Sequence, residues 1–118
     1  MEQDKSCLFC KIVSGEIPTT KLFENERVVS FKDINPSAPF HILVIPRRHI
    51  ATLNDLGDDD GNLVGDMILA GRRLAADAGI ADSGYRMIMN CNSDGGQEVF
   101  HLHLHVIGGR PLGRLVGK

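Results

Sequence analysis

The chain has 118 residues and a formal net charge of −2, from 13 basic and 15 acidic side chains. That length fits one compact domain over 1–118, with 1–6 and 112–118 as tails, and the near-balanced charge gives no basic field for long nucleic acid. No apolar run nears the ~20 residues of a membrane span, Met1 to Lys5 lacks the apolar core of a secretion signal, and three cysteines make no disulfide framework, so a cytoplasmic protein with a small-molecule partner is expected.

Ser6 can cap a short helix over 7–13 that Gly15 ends, with Phe9 and Ile12 on one side of it. Residues 21–24 and 27–33 read as two strands about an Asn25-Glu26 turn. In the second, Val29, Phe31 and Asp33 share a face, and the chain then breaks at Asn35-Pro36 and Pro39. A third strand over 41–45 runs into Pro46 and puts His41 and Leu43 on one face. Asp58, Asp59 and Asp60 precede an apolar period of Leu63, Met67, Ala70 and Leu74, with Arg72 and Arg73 outward. Carboxylates are favoured at a helix N-terminus, so these residues open one long helix, stopped by Gly79, rather than form an acidic site. Val64, Ile68 and Ala75 beside the core stripe are compatible with a second buried face.

A fourth strand over 84–90, a Gly-rich loop over 91–97 and a fifth strand over 100–107 complete the chain. Strands outnumber helices and the early ones are tightly joined. The expected class is α+β: a mainly antiparallel five-stranded sheet, one long helix across it and a short N-terminal helix.

The fifth strand carries the chemistry. In Phe100-His101-Leu102-His103-Leu104-His105-Val106, histidines alternate with apolar residues, sending His101, His103 and His105 to one face about 6.6 Å apart and the apolar set to the other. Imidazoles titrate near neutrality, so a row of them can hold one ring as nucleophile beside another as proton donor. The glycines of Gly95-Gly96-Gln97 let backbone N–H groups turn toward phosphate oxygens, a weak signal alone and a stronger one beside such a row.

This His-Leu-His-Leu-His-Val-Ile segment resembles the histidine triad superfamily. Ile17-Pro18, Phe31-x-Asp33-Ile34-x-Pro36, Ala38-Pro39-x-His41, Val44-Ile45-Pro46, Gly84-Tyr85-Arg86, Gly95-Gly96-Gln97 and Gly108-Gly109-Arg110-Pro111 extend the likeness from about Cys7 to Pro111, toward its bacterial Hint branch. The resemblance implies the histidine triad fold, a homodimer, and a purine nucleoside phosphoramidase that splits the P–N bond of an AMP or GMP amidate through a nucleotidyl-histidine. His103 is then the nucleophile, His105 contacts phosphate and assists the leaving amine, and His41 orients or relays. The nucleotidyltransferase branch has Gln at the third position, so His105 favours hydrolysis.

By the same resemblance Asp33 accepts from the ribose hydroxyls. Phe9, Ile12, Phe31, Ile34 and Leu43 enclose the base, with core packing as the plainer role for these apolar residues. Asn90 lies near the sugar-phosphate, while Gly96, Gln97 and Val99 line the phosphate cradle. Glu98 stands where some Hint members carry serine. There it either selects a cationic amine or is simply solvated. Other readings are a nucleotide-binding regulatory protein with incidental hydrolysis, a dinucleoside polyphosphate hydrolase, and a metalloenzyme using the histidines as ligands, whose barrel needs more strands than this chain offers.

Cys7-x-x-Cys10 admits redox chemistry, a structural metal, or plain packing. A thioredoxin-like role needs a preceding strand that six residues do not supply. The resemblance implies structural zinc held by Cys7, Cys10, His49 and His101, with no metal needed for catalysis. The alternative is a pair of partly buried thiols with His49 and His101 hydrogen-bonded together. Cys91 has no partner pattern and is assigned to packing.

Overall fold

The strands of this chain are apolar on both faces, so one covering helix is not enough. In the computed structural model, which describes residues 4–115, the elements are α1 (Leu8–Ser14), β1 (Phe23–Glu24), β2 (Val28–Lys32), β3 (Phe40–Pro46), α2 (Gly61–Asp77), β4 (Tyr85–Ile88) and β5 (Leu104–Gly108). Of the expected tails, 1–3 and 116–118 lie outside the described residues. The sheet order is β1-β2-β3-β5-β4, and each neighbouring pair is antiparallel. This is the α+β class expected.

On one face Val28, Ile42, Val44, Leu102, Leu104 and Val106 pack against Leu63, Met67 and Ala70 of α2. The helix comes very close there: a Cβ on Gly71 would stand 2.9 Å from side-chain atoms of Met87 and Val106. On the other face Val29, Phe31, Leu43 and Ile45 pack under Phe9, Cys10 and Ile12 of α1 and its cap residue Cys7.

Several local expectations change. The cap of α1 is Cys7, whose Sγ accepts from the Cys10 N–H at 3.4 Å, and not Ser6, whose N–H and hydroxyl both donate to Asp4. Gly15 stops that helix as expected, at φ 88°. The first strand is only Phe23–Glu24, and the second starts at Val28 because the Asn25 side chain accepts from both Arg27 and Val28 N–H groups. Asp60 stands at the start of α2 but makes no cap bond; its carboxylate accepts from Gly57 N–H and pairs with Arg48 at 2.8 Å. The fourth strand ends at Ile88, two residues earlier than expected.

The fifth strand is shortened more. It joins the ladder only at Leu104, because Leu102 donates its N–H to the Ile50 carbonyl, beyond the end of β3. Phe100 is accordingly half exposed instead of sharing the apolar face. Ala75 also turns inward and is fully buried, leaving Ile68 and Leu69 as the exposed large apolar residues of α2.

Candidate active site

The alternation at the end of the chain sorts Leu102, Leu104 and Val106 into the α2 core and the histidines onto the α1 side. Register then chooses their neighbours. β5 pairs with β3 so that His105 lies opposite Leu43 and His41 opposite Ile107, which brings His41 and His105 diagonally together. His41 Nε2 is 2.9 Å from His105 Nδ1 and 3.3 Å from an Asp33 oxygen.

Hydrogen-bond partners assign the tautomers. Ser37 donates its N–H to His41 Nδ1 at 2.9 Å, so the His41 proton sits on Nε2 and is shared between His105 Nδ1 and Asp33. Neutral His105 therefore carries its own proton on Nε2. His103 Nδ1 is 2.8 Å from the His101 carbonyl oxygen, an acceptor only, so it donates there and Nε2 keeps its lone pair. A free imidazole lone pair thus stands beside a ring that presents an N–H, with ring centroids 4.9 Å apart.

Burial is the main cause that lowers the pKa of His105 to about 4, with His103 and His41 adding to it and Asp33 opposing. Burial also lowers His41, again against Asp33. Both rings are neutral at pH 7. A phosphoryl anion arriving beside them favours their charged forms, which raises the share of His105 that carries a proton to give.

These groups open on a cavity of about 800 Å³. Phe9, Ile12, Phe31, Asp33, Ile34, Leu43, Asn90, Gly96, Glu98, Val99, His103 and His105, all expected in the site, line it. His41 does not; it is buried behind His105. Gln97 does not either, because its amide is consumed by the loop. Nε2 donates to the Ala51 and Val99 carbonyls, and Oε1 accepts from Asn92 N–H. Gln97 ties the Gly-rich loop to the segment after β3. In that loop a Cβ on Gly95 would lie 2.5 Å from the Cys91 oxygen, so only glycine closes the turn.

Leu8, Ile17, Pro18, Thr19, Lys32 and Asn35 also line the cavity and were not legible as site residues. Leu8 stands one helical turn before Ile12, a spacing that signals a shared face. Ile17 and Pro18 come from a loop folded back on α1 by the bond from Ile17 N–H to the Lys11 carbonyl, a contact no local pattern announces.

A second cluster lies beneath the first. Cys7 Sγ is 3.3 Å and Cys10 Sγ 3.5 Å from His101 Nδ1, and Cys10 Sγ is 3.3 Å from His49 Nδ1. The four donor atoms lie within 4.8 Å of one another. His101 Nε2 donates to the Pro46 carbonyl at 2.8 Å, which leaves the Nδ1 lone pair aimed at the sulfurs. His101 is fully buried, and burial above all lowers its pKa to about 4, so the ring is the neutral form a metal requires.

The HIT domain family model matches residues 14–112. The chain belongs to the HIT domain family. It is 46% identical to the purine nucleoside phosphoramidase of Escherichia coli (strain K12) over 109 residues, 92% of each chain. It superposes on the crystal structure of a HIT family hydrolase from Legionella pneumophila with TM-score 0.90 and 50% identity, covering 94% of this chain and 99% of that one. A Zn-bound histidine triad family protein from Mycobacterium smegmatis has TM-score 0.79 and 36% identity, covering 94% of this chain and 80% of that one. The HIT match takes in Asp33, His41, His49 and all three triad histidines but begins after Cys10. Half of the sulfur–nitrogen cluster is therefore supplied from outside the matched segment.

Proposed function

We propose that this HIT protein is a hydrolase that cleaves the P–N bond of purine nucleoside phosphoramidates, AMP or GMP amidates, through a nucleotidyl-histidine. The observation that carries this reading is the His103 tautomer. With Nδ1 committed to the His101 carbonyl, the Nε2 lone pair is left for the cavity, beside the N–H of His105. The likeness to the Escherichia coli phosphoramidase supports the substrate class.

His103 Nε2 attacks the α-phosphorus, the P–N bond to the amine breaks, and the amine leaves with the proton from His105 Nε2. An unprotonated amide ion would be a poor leaving group. Water then attacks phosphorus, the P–Nε2 bond breaks, the nucleotide leaves, and the water's second proton returns to His105. His41 holds His105 in the required tautomer through the 2.9 Å bond, itself fixed by Ser37 N–H. Asp33, whose Oδ1 already accepts from Asn35 N–H, takes the ribose hydroxyls with its remaining lone pairs. The apolar walls around Phe31 and Ile34 take the base, Asn90 and the loop at Gly96 and Val99 the sugar-phosphate, and Glu98 faces the departing amine.

The test is incubation with an adenosine phosphoramidate, quenching, and mapping of the nucleotidylated residue. AMP on His103 is expected. Turnover without a covalent intermediate would remove the mechanism, and absence of turnover would leave a nucleotide-binding regulatory protein.

We assign structural zinc to Cys7, Cys10, His49 and His101, a soft S₂N₂ donor set whose four ligands leave no position for substrate. Bound there, the metal supplies a crosslink and no step of the reaction. The Zn-bound relative supports this assignment. Metal analysis of protein prepared without chelator should give about one zinc per chain. Zinc well below that, with freely titratable thiols, would return the cysteines to packing.

We further propose a cytoplasmic homodimer using the exposed Ile68 and Leu69 of α2, to be checked by light scattering. Among the described residues no helix is long and apolar enough to cross a membrane.

A further inference from the structure

Helix α1 takes part in both clusters. Cys7 and Cys10 face His101 and His49, while Leu8, Phe9 and Ile12, interleaved with them, wall the cavity. The helix has seven residues, too few to hold together alone, so its position depends on what it touches. Phe9 sits at the junction. Its ring meets His103 edge-on with centroids 5.3 Å apart and Phe31 at 5.6 Å, and it also touches His101. A second link runs through the backbone: His101, contacted by both sulfurs, gives its carbonyl to His103 Nδ1. Cys10 and His49 line no part of the cavity, yet Cys7 and Cys10 are joined directly in the chain to Leu8 and Phe9, which do.

We infer that the Cys7–Cys10–His49–His101 centre positions the nucleotide pocket, so that a metal held in the centre and a nucleotide held in the cavity tighten each other's binding. This rests on the nucleotide and zinc assignments above. Without a metal, what ties α1 to His49 and His101 beyond apolar packing is sulfur–nitrogen contacts of 3.3 to 3.5 Å. Ordering a short helix costs conformational entropy, and the first ligand to bind meets that cost for the second. Coupling between two binding events is reciprocal, so the same factor must appear in both affinities. Cys10 and His49 are thereby positioning residues for a pocket they do not touch.

The test titrates Zn²⁺ into metal-free protein, by competition with a coloured chelator, without and with saturating AMP. AMP is then titrated into metal-free and zinc-loaded protein. About a tenfold gain is expected in each direction, within the usual range of coupling between sites. Equal affinities with and without the other ligand overturn the inference while leaving both assignments standing. Failure of zinc or of AMP to bind at all overturns the corresponding assignment and this inference with it.

Phe9→Ala keeps all four metal donors and removes the junction, so the coupling should shrink toward onefold. This arm also decides if the metal-free chain is poorly folded, because coupling through global folding survives the change. Undiminished coupling in Phe9→Ala overturns the α1 route. In turnover, His49→Ala should raise KM for an adenosine phosphoramidate about tenfold with kcat within about twofold. A loss in kcat at constant KM, the signature of a smaller folded fraction, overturns the positioning role.

Discussion

The two faces of the sheet are built from the same strands and differ in almost everything else. The α2 face is apolar but for the buried Ser30, whose hydroxyl donates to the Leu43 carbonyl, and is covered by a 17-residue helix, with Met67 fully buried against Ile42, Val44 and Val106. The α1 face carries His41, His101, His103 and His105 among Val29, Phe31 and Leu43, under a helix of seven residues. A long helix closes its face and supplies stability. A short one covers part of its face and leaves the rest to line the cavity. The pleat is what allows both, since neighbouring residues of one strand belong to opposite faces.

That contrast breaks most sharply at its two centres. His103→Ala should lower phosphoramidase turnover by about three orders of magnitude or more while the melting temperature and nucleotide affinity change little, because only the nucleophile is lost. Near-native turnover would remove His103 from its role. Met67→Ala on the other face should do the reverse, costing about 2–5 kcal/mol in denaturant unfolding through the lost contacts and the cavity left behind, with kcat of the folded protein unchanged. A fall in kcat there would mean that the faces are not separable.

Smaller effects sharpen the description of the α1 face. Asp33→Ala should weaken ribonucleotide binding by about 1–3 kcal/mol and largely erase discrimination against the 2′-deoxy analogue, as measured by calorimetry; an unchanged ribose preference would place the sugar elsewhere.

Stability should also depend on pH through the histidines of this face. His105 is held at about 4 and His41 is lowered, whereas both titrate near 6.5 when unfolded, so between those values the unfolded chain binds more protons. Their contribution makes unfolding free energy fall as pH drops from about 6.5 toward 4, with no effect above about pH 7. Comparing unfolding curves of wild type and His105→Asn isolates the His105 share, and equal slopes would contradict its burial. The least effect is expected at Glu98, which lines the cavity with an exposed carboxylate. Glu98→Gln should cut the preference for a cationic over a neutral leaving amine by a few-fold, on the scale of a solvent-screened charge pair. An unchanged ratio would make Glu98 merely solvated.

Much of this was legible in local pattern. The alternation of His and Leu separates core from chemistry within one strand, and Gly15 and Gly79 mark helix ends because each takes a positive φ, 88° and 81°, that other residues avoid. The period of Leu63, Met67 and Ala70 announces α2. These features need only neighbours in sequence, and the amino-acid order determines them.

Other features depend on distant partners, and only the folded chain decided them. The cap of α1 went to Cys7, whose Sγ accepts from Cys10 N–H, while Ser6 bonds to Asp4. The triad strand starts late because Leu102 bonds to Ile50, and the Gln97 amide turns from the cavity because Ala51 supplies an acceptor 46 positions away. His41 meets His105 across 64 residues, and Cys7 meets His101 across 94. Strand period states which face a side chain takes. Which histidine stands behind which, and which nitrogen keeps the proton, follows from register and from acceptors brought in by other elements, and these exist only once the sheet has closed.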